Sequence, residues 1–287
     1  MTTLIVLGAN GQVGRNVVRL AGAQGRNVTA YSRAELDITD AAALAEAITP
    51  DSFVLNCAAY TAVDQAETER DLAWAINGTA PGEIAKVCAA KNAALLHIST
   101  DYVFGQPLGR LWRELDPLAP QNEYGRGKVA GELAVAAALP RHLILRTSWV
   151  FDDEGKNFVR TMLRLGGERP ELRIVGDQQG GPTAAADIAA AMLAMVDQAN
   201  DPSFSGWGTY HYSGAPATTW YEFAEAIFAG RQTPKLVKIT TAEFPTPAQR
   251  PLYSVLDCRK IRQVFGIEQP DWRVALNEML QRLTPAK

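Results

Sequence analysis

Short continuous apolar runs alternate, through the first half of the chain, with longer segments whose apolar residues recur every three or four positions. Residues 3–7 (TLIVL), 27–32 (NVTAYS), 53–59 (FVLNCAA), 95–99 (LLHIS) and 142–150 (HLILRTSWV) read as strands, several of them of the fully buried kind. Residues 15–20, 40–48, 67–91 and 125–138 carry helical spacing between them. Pro50 lies beyond the second of these helices, and Pro81 interrupts or restarts the third. Strands spaced by helices imply right-handed crossovers and a parallel sheet, an α/β fold of the Rossmann-type, doubly wound kind. Ligands of such sheets sit outside the carboxyl ends of the strands. That rule gathers 8–14, Ser32–Arg33, 58–61, 99–104 and 148–150 around one crevice.

After about Val150 the pattern loosens. Helical spacing returns at 157–166, 187–198 and 219–229, and short strands are expected at 172–175 and 210–212. Pro234, Pro245, Pro247 and Pro251 punctuate a looped stretch ahead of two terminal helices near 257–265 and 272–283. The expected division is a dinucleotide-binding domain over 1–150 and a smaller, discontinuous α/β substrate domain over 151–287. Part of the 183–213 stretch is expected to return to the main sheet.

Composition narrows the function classes. The chain has 287 residues and a formal net charge of −3, with no basic run. This argues against a nucleic acid or an anionic membrane surface as the main partner. No apolar stretch reaches membrane-spanning length, and no charged leader precedes residues 3–7. Cys57, Cys88 and Cys258 are odd in number and far apart, which suits reduced, mostly buried thiols in a cytoplasmic protein better than a disulfide framework or zinc site. No His/Asp/Glu cluster has metal-ligand spacing, so no catalytic metal is expected.

The first strand runs into Gly8-Ala9-Asn10-Gly11-Gln12-Val13-Gly14. The glycines let the backbone turn sharply and approach a pyrophosphate, and free N–H groups at the following helix start face its oxygens. The spacing G-x-x-G-x-x-G differs from the common dinucleotide fingerprint, and a merely flexible strand-to-helix turn is the plainer alternative. Tyr124 and Lys128 are four apart, one turn along the same helix face. A phenol loses its proton near pH ~10, and a neighbouring cation lowers that value, which makes tyrosine a usable acid or base. A surface pair is the alternative, but these two fall where the crevice is expected. Ser99–Tyr102 ends the fourth strand, and a hydroxyl there can hydrogen-bond a substrate oxygen or, more plainly, close a turn. His97 reads as a packed core residue, and His142 and His211 have no partner pattern.

The second strand ends Tyr31-Ser32-Arg33, without the carboxylate that usually binds the ribose 2′-hydroxyl of NADH. Arg33 can pair with a 2′-phosphate, so NADPH is expected over NADH, with NADH still usable. Arg33 stacked on adenine, or turned to water, is the competing arrangement.

Eight stretches in order resemble the extended short-chain dehydrogenase/reductase superfamily, and within it the dTDP-4-dehydrorhamnose reductase family. They are Gly8-x-x-Gly11-Gln12-Val13-Gly14, 35–39 (ELDIT), 56–64 (NCAAYTAVD), 99–104 (STDYVF), Tyr124-x-x-x-Lys128, 146–150 (RTSWV), Asp177-Gln178-x-Gly180-x-Pro182-Thr183 and Thr246-Pro247-x-x-Arg250-Pro251. The resemblance implies NADPH-dependent reduction of the C4 keto group of a nucleotide sugar. It makes Tyr124 the proton donor, Lys128 the residue that tunes the phenol and holds the nicotinamide ribose, and Thr100 the partner of the C4 oxygen. It puts Asp101 and Trp149 in the sugar site and Arg250 near a substrate phosphate, with an ordinary surface ion pair as the rival role for that arginine. For the cofactor it implies Gly8, Gly11, Gln12 and Val13 at the pyrophosphate, Ser32 and Arg33 at the adenosine ribose, Asp37 and Ile38 at the adenine, and Ala58, Ala59, Tyr60 and Thr61 on the nicotinamide side. Some bacterial relatives dimerise through a magnesium ion held by glutamates. This chain has Arg15-Asn16 and Ala186 at the matching places, which leaves a monomer or a differently joined homodimer. An epimerase or dehydratase on the same scaffold would share the turn and the Tyr–Lys pair, and a non-catalytic dinucleotide-binding subunit is a third reading of the fold.

Overall fold

The computed structural model describes residues 2–230 and 234–283. Its centre is a six-stranded, wholly parallel sheet. The first five strands are β1 (Leu4–Leu7), β2 (Val28–Tyr31), β3 (Phe53–Asn56), β4 (Ala94–Thr100) and β5 (His142–Thr147). Gly208–His211 adds the sixth strand beside β5. Across the sheet the order is Gly208–His211, β5, β4, β3, β1, β2. The chain therefore leaves β1 in one direction for β2 and in the other for β3, which opens a crevice at the carboxyl ends of β1 and β3.

Alternation along the strands divides the core. Leu4, Val6, Leu96, Leu143 and Leu145 pack on one face against helix α1 (Gln12–Ala23) and helix Ala185–Ala199. Ile5, Leu7, Val54, Leu95 and Ile144 pack on the other against α2 (Ala41–Ala47), α4 (Ala80–Ala90) and α5 (Glu123–Ala138). Both faces are buried, which accounts for the unbroken apolar runs. A short helix α3 (Arg70–Trp74) precedes α4 and is joined to it by a π-helical turn over Ala75–Thr79. Pro81 sits in the first turn of α4, where its missing N–H costs nothing, so it restarts the helix.

A third apolar cluster lies outside the sheet. Phe151, Val159, Met162, Leu172, Ile174, Phe223, Ile227, Trp272 and Met279 form it, around helices Phe158–Glu168, Trp220–Ile227 and Trp272–Leu283. Two expectations are corrected here. The 142–150 run is not one strand: β5 stops at Thr147, Trp149 takes a left-handed φ of 47°, and Val150–Phe151 pairs instead with Thr183–Ala184. The Pro-punctuated stretch also hides a strand, Lys235–Ile239, which pairs in parallel with Glu171–Val175. Among the described residues no helix is long and apolar enough to cross a membrane.

Candidate active site

The crevice has a volume of about 870 Å³. Its floor at one end is the turn between β1 and α1. Gly8 has φ 79°, and a Cβ there would lie 2.6 Å from the Ala58 nitrogen; a Cβ on Gly14 would lie 2.3 Å from the Gly8 carbonyl oxygen. Only glycine lets the turn pack this closely under the next strand's end. No side chain caps α1, so its first-turn N–H groups remain for an anion. Gly11, Gln12 and Val13 line the crevice here. Arg15 pairs with Asp152 at 2.8 Å and Glu154 at 3.4 Å, and Gln12 accepts a hydrogen bond from Asn157 at 2.9 Å. The segment after Phe151 is thereby strapped to the start of α1.

Arg33, Asp37 and Ile38 line the flank beyond β2. Asp37 accepts from the Thr39 N–H and hydroxyl at 2.9 and 2.8 Å, which holds its carboxyl below the usual range; the nearby Arg33 charge adds to this. Arg33 is exposed and makes no hydrogen bond or close ion pair among the described residues. Ser32 departs from the sequence reading. It is buried, its N–H is donated to Glu35 at 2.7 Å, and it is not part of the crevice wall. Ala58, Ala59, Tyr60 and Thr61 form the edge after β3. Asn77 fixes that loop by accepting from the Tyr60 N–H and donating to its carbonyl, both at 2.9 Å.

At the other end the wall is built of side chains. Tyr124 stands in the first turn of α5, whose N-cap Asn122 accepts from the Gly125 N–H. Its ring meets Tyr102 edge-on, with centroids 5.6 Å apart. Burial pushes the phenol above its ordinary value, and the charges and dipoles of Asp101 and Tyr102 add to this, while the adjacent Thr100 hydroxyl works in the opposite sense. Lys128 is buried one turn on and donates to the Ile98 carbonyl at 2.6 Å; burial brings its ammonium down to about 8. Burial is thus the largest influence on both groups, and the amine is turned to β4.

Thr100 donates to Asp101 at 3.0 Å and accepts from the Tyr102 N–H at 3.2 Å. Asp101 is buried, and burial lifts its carboxyl to about 6 against the smaller opposing effect of the Ser254 and Thr100 hydroxyls. The Ser254 hydroxyl donates to the Gln179 carbonyl at 3.3 Å, leaving the Asp101 Oδ2 without a hydrogen-bond partner. Ser99 Oγ and Thr147 Oγ1 are also buried and unpartnered, and all three residues face the crevice. Buried polar atoms without partners are costly, so three at one wall mark a surface that a polar ligand completes. Trp149 lies flat against Trp220, with centroids 3.5 Å apart and planes 6° apart. Arg250 reaches the same wall, bound to Asp64 at 2.7 Å and within 3.4 Å of the Tyr102 hydroxyl. The ion pair given as its rival role is thus present, at the crevice edge.

Every named candidate except Ser32 borders this one crevice. Sequence reading missed Trp220, Thr147 and Lys156, which border it too. Only an aromatic beside the Thr218-Thr219 pair hinted at the first of these.

Residues 1–284 match the family described as the RmlD substrate binding domain. A dTDP-4-dehydrorhamnose reductase of Aggregatibacter actinomycetemcomitans is 40% identical, over 97% of this chain and 98% of its own length. A crystal structure of a dTDP-4-dehydrorhamnose reductase from Clostridium acetobutylicum superposes with a TM-score of 0.92 at 36% identity, covering 98% of this chain and 99% of that one. The Bacillus anthracis dTDP-4-dehydrorhamnose reductase, solved in complex with NADP, gives 0.89 at 36% identity, covering 98% and 100%.

Proposed function

The chain belongs to the dTDP-4-dehydrorhamnose reductase family, and from that membership we propose how its own crevice carries out the reduction. The protein is an oxidoreductase that converts the C4 keto group of dTDP-4-dehydro-L-rhamnose to the alcohol of dTDP-L-rhamnose with NADPH. The uncapped start of α1 and the glycine floor fit a dinucleotide pyrophosphate at Gly8, Gly11, Gln12 and Val13. Arg33 would meet the 2′-phosphate, Asp37 and Ile38 the adenine, and Ala58–Thr61 the nicotinamide side. When bound, NADPH supplies the hydride. Residues 1–150, with part of 183–213, serve as its binding half, and 151–287 as the substrate half.

Thr100 and Tyr124 hold the C4 oxygen between two hydroxyls, and Tyr124 gives its proton to that oxygen as negative charge develops. A phenol kept neutral by burial is in the right state to donate. Lys128 holds the nicotinamide ribose, and its charge eases the loss of the phenol proton once the site is filled. Trp149 and Asp101 flank the sugar, and Arg250, though tied to Asp64, is the cation at the crevice edge toward a substrate phosphate. An arginine at position 15, paired to Asp152, supports a monomer or an interface that uses no cation at this turn.

The observation that carries this reading is the convergence of Tyr124, Lys128 and Thr100 on the wall opposite the glycine turn. Tyr124→Phe removes only the donor. Turnover with dTDP-4-dehydro-L-rhamnose is expected to fall about 10²–10⁴-fold while NADPH affinity is kept. A variant that turns over like the parent overturns the assignment.

A further inference from the structure

His97 is wholly buried in the middle of β4 and is not itself one of the residues that line the crevice. It is nonetheless in line with the site. Its Nδ1 lies 3.0 Å from Asn56 Nδ2, and its Nε2 lies 3.3 Å from Lys128 Nζ. Asn56, at the end of β3 and also fully buried, uses its amide oxygen to accept the Ala58 N–H at 3.1 Å. That bond fixes which way the amide faces, because turning it would set an NH₂ against the Ala58 N–H. The NH₂ must then donate to His97, so Nδ1 presents its lone pair.

Burial, reinforced by the Lys128 charge, holds the imidazole far below its ordinary value, so the ring carries one proton. With Nδ1 accepting, that proton sits on Nε2 and points at Lys128. An ammonium has only donors to offer in return, whereas a neutral amine has a lone pair to receive it. The neutral amine is also satisfied elsewhere, with the Ile98 carbonyl at 2.6 Å taking one N–H and the crevice open to another. The other titratable and charged groups around the amine do not reverse this. The Cys57 thiol beyond β3 is pushed up to about 12 and stays neutral; Tyr124 stays a phenol; Glu132, one turn further along α5, is held by Arg146 at 2.6 and 2.9 Å.

We infer that His97, locked by Asn56 with its single N–H toward Lys128, is a positioning residue that tunes the charge of Lys128 and through it the pH range of the reduction. This rests on the reading of Lys128 above and goes beyond it, since it assigns work to a core histidine and a strand-end asparagine. Because the ammonium is brought down to about 8, turnover is expected to fall as the pH rises through that value. His97→Gln can turn an amide oxygen toward the ammonium. The alkaline fall should then move up by about one pH unit, with the KM for NADPH changed less than about twofold.

The decisive measurement needs no variant to be active. The chain has three histidines, His97, His142 and His211, so nitrogen-15 labelling of histidine gives three imidazoles, and His97→Gln identifies which signals belong to position 97. The expected result is a neutral ring protonated at Nε2 throughout the neutral range. A proton on Nδ1, or on both nitrogens, overturns the inference, as does an alkaline limb that stays put in an active His97→Gln enzyme. If Tyr124→Phe instead kept full turnover, the catalytic reading would fall while the tautomer measurement still stood.

Discussion

The two ends of the crevice are made of different material. The end proposed to take the pyrophosphate is backbone: a left-handed Gly8, a Gly14 whose missing Cβ leaves room for a carbonyl, and a helix start with no side-chain cap. The end proposed to take the sugar is made of side chains, and several are held at a cost: Asp101 buried with an unpartnered oxygen, Ser99 and Thr147 likewise, and Trp149 at a positive φ. The first end is closely packed, and the second leaves buried polar atoms unsatisfied. Stabilising the second should therefore damage turnover, whereas the first cannot be altered without losing stability and binding together.

The sharpest way to break this contrast is Gly14→Ala. The new methyl group would meet the Gly8 carbonyl oxygen at 2.3 Å, and that oxygen belongs to the backbone of a tight turn. A loss of about 3 kcal/mol is expected, as for overpacking where little can move, together with a clear loss of NADPH affinity. Thermal denaturation and a fluorescence titration with NADPH would test both. If stability fell and affinity survived, the turn would be a packing device only.

Asp101→Asn asks the opposite question of the other end. The carboxyl ionises at 3.8 in an unfolded chain and at about 6 when folded. Its protonated form is thus favoured by folding; the stabilisation is full below 3.8 and is lost as the pH rises through about 6. At neutral pH the buried charge is a burden, and its removal should raise stability by up to about 3 kcal/mol while lowering turnover. The gain should vanish in acid. Denaturant melts at acidic and neutral pH would decide it, and equal stability at neutral pH would mean that the carboxylate is solvated well enough to cost nothing.

The same contrast governs what could be read from the sequence. Glycine spacing, buried strand runs and a four-residue Tyr–Lys interval are local signals, and the β1–α1 turn, the sheet and the shared helix face of Tyr124 and Lys128 follow from them. Non-local facts were not legible. Lys235–Ile239 pairs with a segment some sixty residues earlier, and its flanking prolines disguise it as loop. The Trp149–Trp220 stack joins positions on separate elements. That Ser32 is buried with its N–H given to Glu35, outside the crevice lining, was likewise not legible. A cation one helical turn from Tyr124 is visible in sequence, but the burial that raises its phenol is not.

The smallest effect is expected at Arg33, and it refines the backbone end by adding a charged side chain on the β2 flank. Arg33 is exposed, so the pairing proposed for it with a 2′-phosphate would be screened and worth far less than a buried ion pair. Charge-assisted bidentate bonds to phosphate still favour NADPH over NADH, by about tenfold or ~1.4 kcal/mol. Arg33→Ala should therefore lower kcat/KM for NADPH by that factor and leave kcat/KM for NADH almost unchanged, with no shift in melting temperature. The ratio of the two constants is the informative quantity, since a general loss of folding would lower both. If the ratio is the same in parent and variant, Arg33 rests on the adenine or in water, and the preference for NADPH arises elsewhere along the β2 flank.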